Sequence, residues 1–105
     1  MIKTVIIGRL CAAPELKKTK GGDVSVCKID VASDRGKDKE ADFIKVILWR
    51  SDAEFLCKYF GKGSPVCITG EITTERWEEA GGKKRSRLVA VADGVYFVPG
   101  AGGAP

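Results

Sequence analysis

The 105-residue sequence contains no histidine and none of the short motifs that mark the common enzyme classes. It has no G-x-S-x-G segment, no phosphate-binding P-loop and no C-x-x-C pair of metal ligands. A catalytic cysteine would need a neighbouring base, and no histidine is present to act as one. We therefore expect a protein that is not an enzyme and that uses no metal and no cofactor.

Long apolar runs are also missing, and none approaches the length needed to span a bilayer. The segment Met1–Ile7 is too short and too polar for a signal peptide, so it is better interpreted as a first strand. The four cysteines are Cys11, Cys27, Cys57 and Cys67. Their spacings of 16, 30 and 10 residues do not fit a zinc site, and a disulfide scaffold would need a secreted context. We expect reduced thiols in a cytoplasmic protein.

Positive charge is concentrated in two parts of the sequence, although the net charge is only +4. One basic cluster consists of Lys17, Lys18 and Lys20, and the other of Lys83, Lys84, Arg85 and Arg87. Charge runs are commonly solvated loop ends, so the two clusters do not by themselves indicate a ligand.

The segment from Phe43 to Arg50 predicts a strand with two aromatic residues on its solvent side. Alternation places Ile44, Val46 and Leu48 on a core face and Phe43, Lys45, Ile47 and Trp49 on the other face. Two exposed aromatics with a lysine between them suit a ligand with flat rings and negative charge, such as single-stranded nucleic acid. The same aromatics could instead lie under a loop or in an oligomer interface.

One short helix is predicted after this strand, over Asp52–Phe60, because its apolar residues recur at helical spacing. Ser51 and Glu54 have the spacing of a capping box with Ser51 as the N-cap, and Gly61 follows the last turn. We assign the aromatic residues of this helix to the core or its rim rather than to a ligand.

Five main strands are predicted, with the helix between the third and the fourth. Their bounds are Ile2–Leu10, Val24–Ser33, Asp42–Arg50, Val66–Trp77 and Arg85–Ala92, followed by a short extended piece at Val95–Val98. Glu78–Lys83 is predicted to form a hairpin turn. Short strands with one apolar face must close to bury it, so we predict an all-β, five-stranded OB-fold Greek-key barrel over residues 1–98. The two basic clusters then fall in the loops that flank the ligand face of such a barrel.

Seven short segments carry a pattern that is specific in combination. They are Val5–Leu10, Pro14-Glu15, Gly21-Gly22, Phe43–Trp49, Tyr59–Ser64, Val66–Ile72 and Thr74–Trp77. The strongest element combines a Tyr-x-x-Lys-Gly-Ser helix exit, a strand with Gly-Glu near its end and a later tryptophan. Together they resemble the bacterial-type single-stranded DNA-binding protein (SSB) family, over nearly everything from Ile2 to Phe97.

The resemblance implies a barrel that binds single-stranded DNA. Its stacking aromatics would be Phe43 and Trp49 on the third strand and Trp77 near the hairpin, with Lys45 between the first two. Arg76 and the seven residues of the two basic clusters complete the candidate DNA-binding set, in which the clusters steer and hold phosphates. Trp77 could alternatively pack on the stem of the hairpin.

Three features depart from the family pattern. The connection Asp34–Ala41 is short and has no aromatic residue, so a stacking tryptophan that some members carry there is missing. Ile44 stands where many members have a histidine that supports subunit contact, although the resemblance still implies a homo-oligomer, either a tetramer or a dimer. Residues 99–105 are a Gly/Ala/Pro tail, expected to be flexible, where members usually carry an acidic tail that recruits replication and repair partners.

The leading functional hypothesis is sequence-independent binding and protection of single-stranded DNA during replication, recombination and repair, in a cytoplasmic, nucleoid-associated protein. One alternative is an OB-fold RNA-binding protein, because the same aromatic and basic face would serve RNA. The other is a primosome or replication adaptor, whose face would mainly contact protein and which would bind a single strand weakly.

Overall fold

The computed structural model describes residues 1–36 and 39–98, so the predicted tail at 99–105 lies outside the described residues. Six strands and one helix are present in this part of the chain. In chain order they are β1 (Ile2–Leu10), β2 (Lys17–Lys18), β3 (Ser25–Ser33), β4 (Asp42–Trp49), α1 (Arg50–Tyr59), β5 (Pro65–Glu78) and β6 (Lys84–Tyr96). No helix in the described ranges is long and apolar enough to cross a membrane.

The five long strands close into a ring. The order is β1-β5-β6-β4-β3, and β3 returns to β1 through pairing at Arg9 and Leu10. All of these pairs are antiparallel except β4 with β6. Because α1 lies between the third and fourth long strands, the arrangement confirms the predicted OB-fold barrel. The two-residue strand β2, which pairs with β3, was not predicted.

The barrel interior is filled by the side chains that point inward at alternate positions along each long strand. On β4, Val46 and Leu48 are fully buried and Ile44 packs against the core, as the alternation predicts. Ala53 and Leu56 of α1 contribute buried side chains to the same core. The other members of the core are Ile6, Leu10, Cys27, Ile29, Val31, Phe60, Val66, Ile68 and Ala90. Closure of the ring therefore supplies the burial that no single strand could provide.

The start of α1 differs from the prediction. Trp49 is the N-cap residue, and no side chain caps the helix, so the capping box at Ser51 and Glu54 is wrong. The carboxylate of Glu54 accepts a hydrogen bond from the Ser25 hydroxyl at 2.7 Å, which ties the helix to β3. Arg50 adopts a left-handed φ of 55° where the chain changes from strand to helix.

Strand β6 is longer than predicted. The separate piece expected at Val95–Val98 is wrong, because β6 continues to Tyr96 through an irregularity in its pairing with β5. The hairpin turn is confirmed: Gly81 and Gly82 have positive φ, and the Glu79 amide donates to the Lys83 carbonyl at 2.8 Å. Next to the turn, residues 73–78 of β5 pair with residues 84–89 of β6. We call this paired segment, which carries Trp77, the arm.

Candidate nucleic-acid interface

The outward face of β4 carries the two predicted stacking aromatics. Phe43 is 70% exposed and Trp49 is 41% exposed. Lys45 lies between them on the same face, and Ile47 beside it is buried against Val91, its partner on β6. The strand thus presents two separated rings on a surface that is otherwise packed.

Strand β3 lies beside this face and adds residues that the sequence analysis did not select. Its outward residues Lys28 and Asp30 lie directly opposite Ile47 and Lys45. Asp30 forms an ion pair with Lys45, with their charged atoms 3.1 Å apart. The period-two alternation of this strand was the available signal for Lys28, since it places that lysine outward next to the aromatic strand.

A groove of about 420 Å³ extends the face towards the first basic cluster. Its walls include Lys17, Lys18 and Lys28, together with Val26, the residue opposite Trp49 on β3. Lys18 donates a hydrogen bond to Ser25 at 2.9 Å, which fixes it on the groove wall. Lys20 is exposed in the turn that follows β2. The structure therefore places this cluster next to the Trp49 end of the aromatic strand.

The arm formed by β5 and β6 carries the second basic cluster on two faces. Trp77 is 40% exposed and pairs with Arg85, and Arg87 lies two residues further along β6 on the same face. Arg76 and Lys84 alternate to the opposite face of the arm. Trp77 and Arg87 thus share one face, while Arg76 and Lys84 border, together with Trp77 and Arg85, a shallow depression of about 410 Å³.

Several of the predicted cations are already paired with carboxylates. Arg87 contacts Glu75 at 2.7 Å, and Arg85 contacts Glu79 at 3.1 Å. By contrast, five lysines of the two clusters form no ion pair within the described residues: Lys17, Lys18, Lys20, Lys83 and Lys84. Sequence reasoning did not anticipate the carboxylates, because strand pairing decides which acidic residue lies opposite which basic one.

Glu75 joins the arm to the barrel face electrostatically. Hydrogen bonds from Arg87 hold the pKa of Glu75 below its ordinary value, and the positive charges of Arg87, Lys28 and Lys45 act in the same direction. The second oxygen of Glu75 lies 3.9 Å from the Lys28 ammonium. The Trp77 arm and the Phe43–Trp49 strand therefore border one continuous surface.

The side chains of this surface are aromatic rings and charged groups. Within the ranges 1–36 and 39–98, no group of acidic, cysteine or histidine side chains is arranged to hold a metal ion. The four cysteines are free; Cys27 is buried and Cys11 is exposed. The face of this closed barrel combines exposed rings with lysines, which are the side-chain types that contact flat rings and negative charge.

Comparison with known proteins identifies the family. Residues 1–98 match the model of the single-strand binding protein family. A single-stranded DNA-binding protein of Clostridium tetani is 40% identical over 102 residues, which cover 93% of this chain and 70% of the relative. Its counterpart in Oceanobacillus iheyensis is 38% identical, over 91% of this chain and 62% of the relative. The chain belongs to the single-strand binding protein family, which confirms the resemblance and the expectation of a protein that is not an enzyme.

Proposed function

We propose that the protein binds single-stranded DNA without sequence preference and protects it during replication, recombination and repair. The observation that carries this proposal is the outward face of β4, where exposed Phe43 and Trp49 flank Lys45. The names of the relatives, which are single-stranded DNA-binding proteins, favour DNA over RNA as the ligand.

Base stacking supplies most of the affinity in the proposed mechanism. Each base that stacks on an aromatic side chain contributes about 1–3 kcal/mol, and every base offers the same kind of ring face. Phe43, Trp49 and Trp77 together would hold several bases without reading their identity. Duplex DNA hides its base faces, so the same rings would discriminate against it.

The basic clusters supply the phosphate contacts in this mechanism. Lys17, Lys18 and Lys20 border one end of the aromatic face, and Lys83 lies at the tip of the arm. Each phosphate neutralised on a single strand contributes about −0.7 to the slope of log affinity against log salt. Phosphate binding would therefore weaken as salt rises, whereas stacking would persist.

A homo-oligomer, either a tetramer or a dimer, belongs to the same proposal. One edge of β1 pairs with β5 from Ile2 to Arg9, whereas the other edge meets β3 only at Arg9 and Leu10. An open strand edge with exposed apolar side chains favours pairing with a second copy. Linked copies would raise the affinity for a long strand through effective concentration. The same proposal places the protein in the cytoplasm, in association with the nucleoid.

Titration of the intrinsic tryptophan fluorescence tests the proposal. We expect oligo(dT) to quench the emission strongly, duplex DNA to quench it little, and the oligo(dT) signal to survive moderate salt. An unchanged signal with oligo(dT), or binding that disappears with salt regardless of strandedness, would contradict stacking and favour a replication adaptor. A parallel titration with oligo(U) distinguishes an RNA-binding protein, which would bind oligo(U) more tightly.

A further inference from the structure

Glu75 is, like Asp30 beside Lys45, a carboxylate that lies among the cations of this face. Arg87 lies 2.7 Å and Lys28 3.9 Å from its carboxylate oxygens, and these two cations and Lys45 all lower the pKa of Glu75 and so favour its ionised form. An ionised carboxylate repels the phosphates of an approaching strand. Its place at the junction of the arm and the barrel therefore calls for a role other than contact with the DNA backbone.

The contacts of Glu75 point to that role. Its Oε1 accepts a hydrogen bond from Arg87 Nε at 2.8 Å and lies 2.7 Å from a second nitrogen of the same guanidinium. The guanidinium carbon lies over the Trp77 ring, 5.1 Å from the ring centroid. The register explains this arrangement, because Glu75 is directly opposite Arg87 and Trp77 follows two residues later on the same face.

When Arg87 is held in place, it determines which face of the Trp77 ring is open to a ligand. The guanidinium is attracted to one face of the indole, so the opposite face remains for a base. The contact also limits the rotamers of Trp77, and a ring that is already ordered loses less entropy on binding. Without the carboxylate, the long Arg87 side chain could turn towards a phosphate and leave Trp77 unsupported.

We propose that Glu75 is a positioning residue that holds Arg87 against one face of Trp77 and so presents the opposite face to a base of single-stranded DNA. This inference rests on the proposed function. Arg87 then supports stacking, whereas its place in a basic cluster predicts a phosphate contact.

The first test compares Glu75→Gln with Glu78→Gln. Both substitutions remove one negative charge from β5, but Glu78 forms no ion pair within the described part of the chain. For Glu75→Gln we expect the salt slope of oligo(dT) binding to steepen by about 0.7, because Arg87 becomes free to neutralise a phosphate. At high salt, where stacking dominates, we expect affinity to fall about threefold to tenfold. Glu78→Gln should change neither the slope nor the high-salt affinity.

The second test asks whether Glu75 acts through Arg87. In an Arg87→Ala background, Glu75→Gln should have no further effect on the high-salt affinity, because the contact it supports is gone. A Trp49→Phe background leaves Trp77 as the single tryptophan. In that background, Glu75→Gln should reduce the quenching of Trp77 at saturating oligo(dT) and increase its quenching by acrylamide in the free protein.

The outcomes separate this inference from the proposed function. If the wild-type protein binds oligo(dT) but Glu75→Gln behaves as Glu78→Gln does at every salt concentration, only the positioning role is overturned. An equal loss of affinity at all salt concentrations, with an unchanged slope, would also overturn it, since that pattern indicates general damage to the fold. If the wild-type protein fails to bind oligo(dT), the proposed function falls and the positioning role falls with it.

Discussion

At the scale of single residues, Phe43 and Trp49 decide how the surface can bind. Phe43 is 70% exposed and has few neighbours to lose, so its substitution should affect binding far more than folding. Trp49 is 41% exposed and is the N-cap residue of α1, so its substitution should also lower stability. Lys45 between them is held by Asp30 and is only about one quarter exposed. Removal of either ring should therefore reduce the affinity for single-stranded DNA more than removal of this lysine.

Replacement of either ring tests this ranking. We expect Phe43→Ala and Trp49→Ala each to weaken oligo(dT) binding by about 1–3 kcal/mol and to leave the salt slope unchanged, because stacking neutralises no phosphate. Tyr59→Ala is the matched control, since Tyr59 is an exposed aromatic that packs against Phe55 on α1. Affinity at several salt concentrations, measured with labelled oligonucleotide, gives both quantities. A steeper loss at low salt than at high salt would contradict a stacking role.

Cys27 is the residue whose titration should influence stability. Burial, followed by the neighbouring Cys57, raises the pKa of the Cys27 thiol from 9.0 to about 12. The two sulfur atoms lie 3.8 Å apart. Between these pH values the unfolded chain loses the Cys27 proton while the folded chain keeps it, so the free energy of unfolding falls as pH rises.

Urea unfolding at a series of pH values from 7.5 to 10.5 checks this dependence. We expect the wild-type protein to lose stability more steeply above about pH 9 than Cys27→Ala, which lacks the titrating group. Cys11→Ala is the control, because Cys11 is exposed and its removal should leave the wild-type curve unchanged. Parallel curves for wild type and Cys27→Ala would show that Cys27 ionises equally easily in both states.

At the scale of elements, the closure of the barrel depends on close backbone contact between strands. A Cβ atom at Gly8 would meet the backbone carbonyl of Ala32, so β1 can cross onto β3 only where it has no side chain. A glycine inside a strand pattern predicts a bulge or a close backbone approach, and the close approach is what the structure shows. The bounds of β1 alone do not show which strand it meets at its end. Gly70 on β5 has a similar contact with the carbonyl of Val91 on β6.

Substitution at Gly8 measures the importance of this crossing. We expect Gly8→Ala to lower the free energy of unfolding by about 1–3 kcal/mol, because the backbone must move to relieve the overlap. Gly61→Ala serves as the control, since nothing lies within 4 Å of a Cβ at that position and its φ is not positive. Urea or thermal unfolding of the two variants gives the comparison. Equal free energies of unfolding for Gly8→Ala and Gly61→Ala would mean that the backbone of β1 moves away from Ala32 without loss of stability.

The elements also show which predictions a sequence can support. The strand bounds around the aromatic face were predicted to within one or two residues, because alternation along Phe43–Trp49 is a local property. The cap of α1 was wrong because Glu54 bonds to Ser25, which is 29 residues away in the sequence. The ion pairs of Lys45 and Arg87 were missed for the same reason, since each partner lies on a neighbouring strand. Contacts between distant segments need the register, and a single sequence does not specify it.

At the scale of the whole molecule, the outer face of β1 is the surface that we propose contacts a second copy of the chain. Val5 and Ile7 are 64% and 57% exposed and lie on one face of a strand whose edge is open over most of its length. Antiparallel pairing of two such strands about a twofold axis would bring the Val5 and Ile7 side chains of the two copies side by side and satisfy the free backbone groups.

A charged substitution in this face should separate the copies. We expect wild-type protein to sediment as an oligomer and Val5→Lys/Ile7→Lys to sediment with the mass of a single chain, because buried like charges on paired strands repel. Leu16→Lys, at an exposed apolar residue outside β1, should keep the wild-type mass. The monomeric variant should bind a short oligo(dT) almost normally but lose affinity for a long one, since it lacks the second linked face. A wild-type monomer would overturn the proposed oligomer, and an oligomeric double variant would place the contact on a different surface.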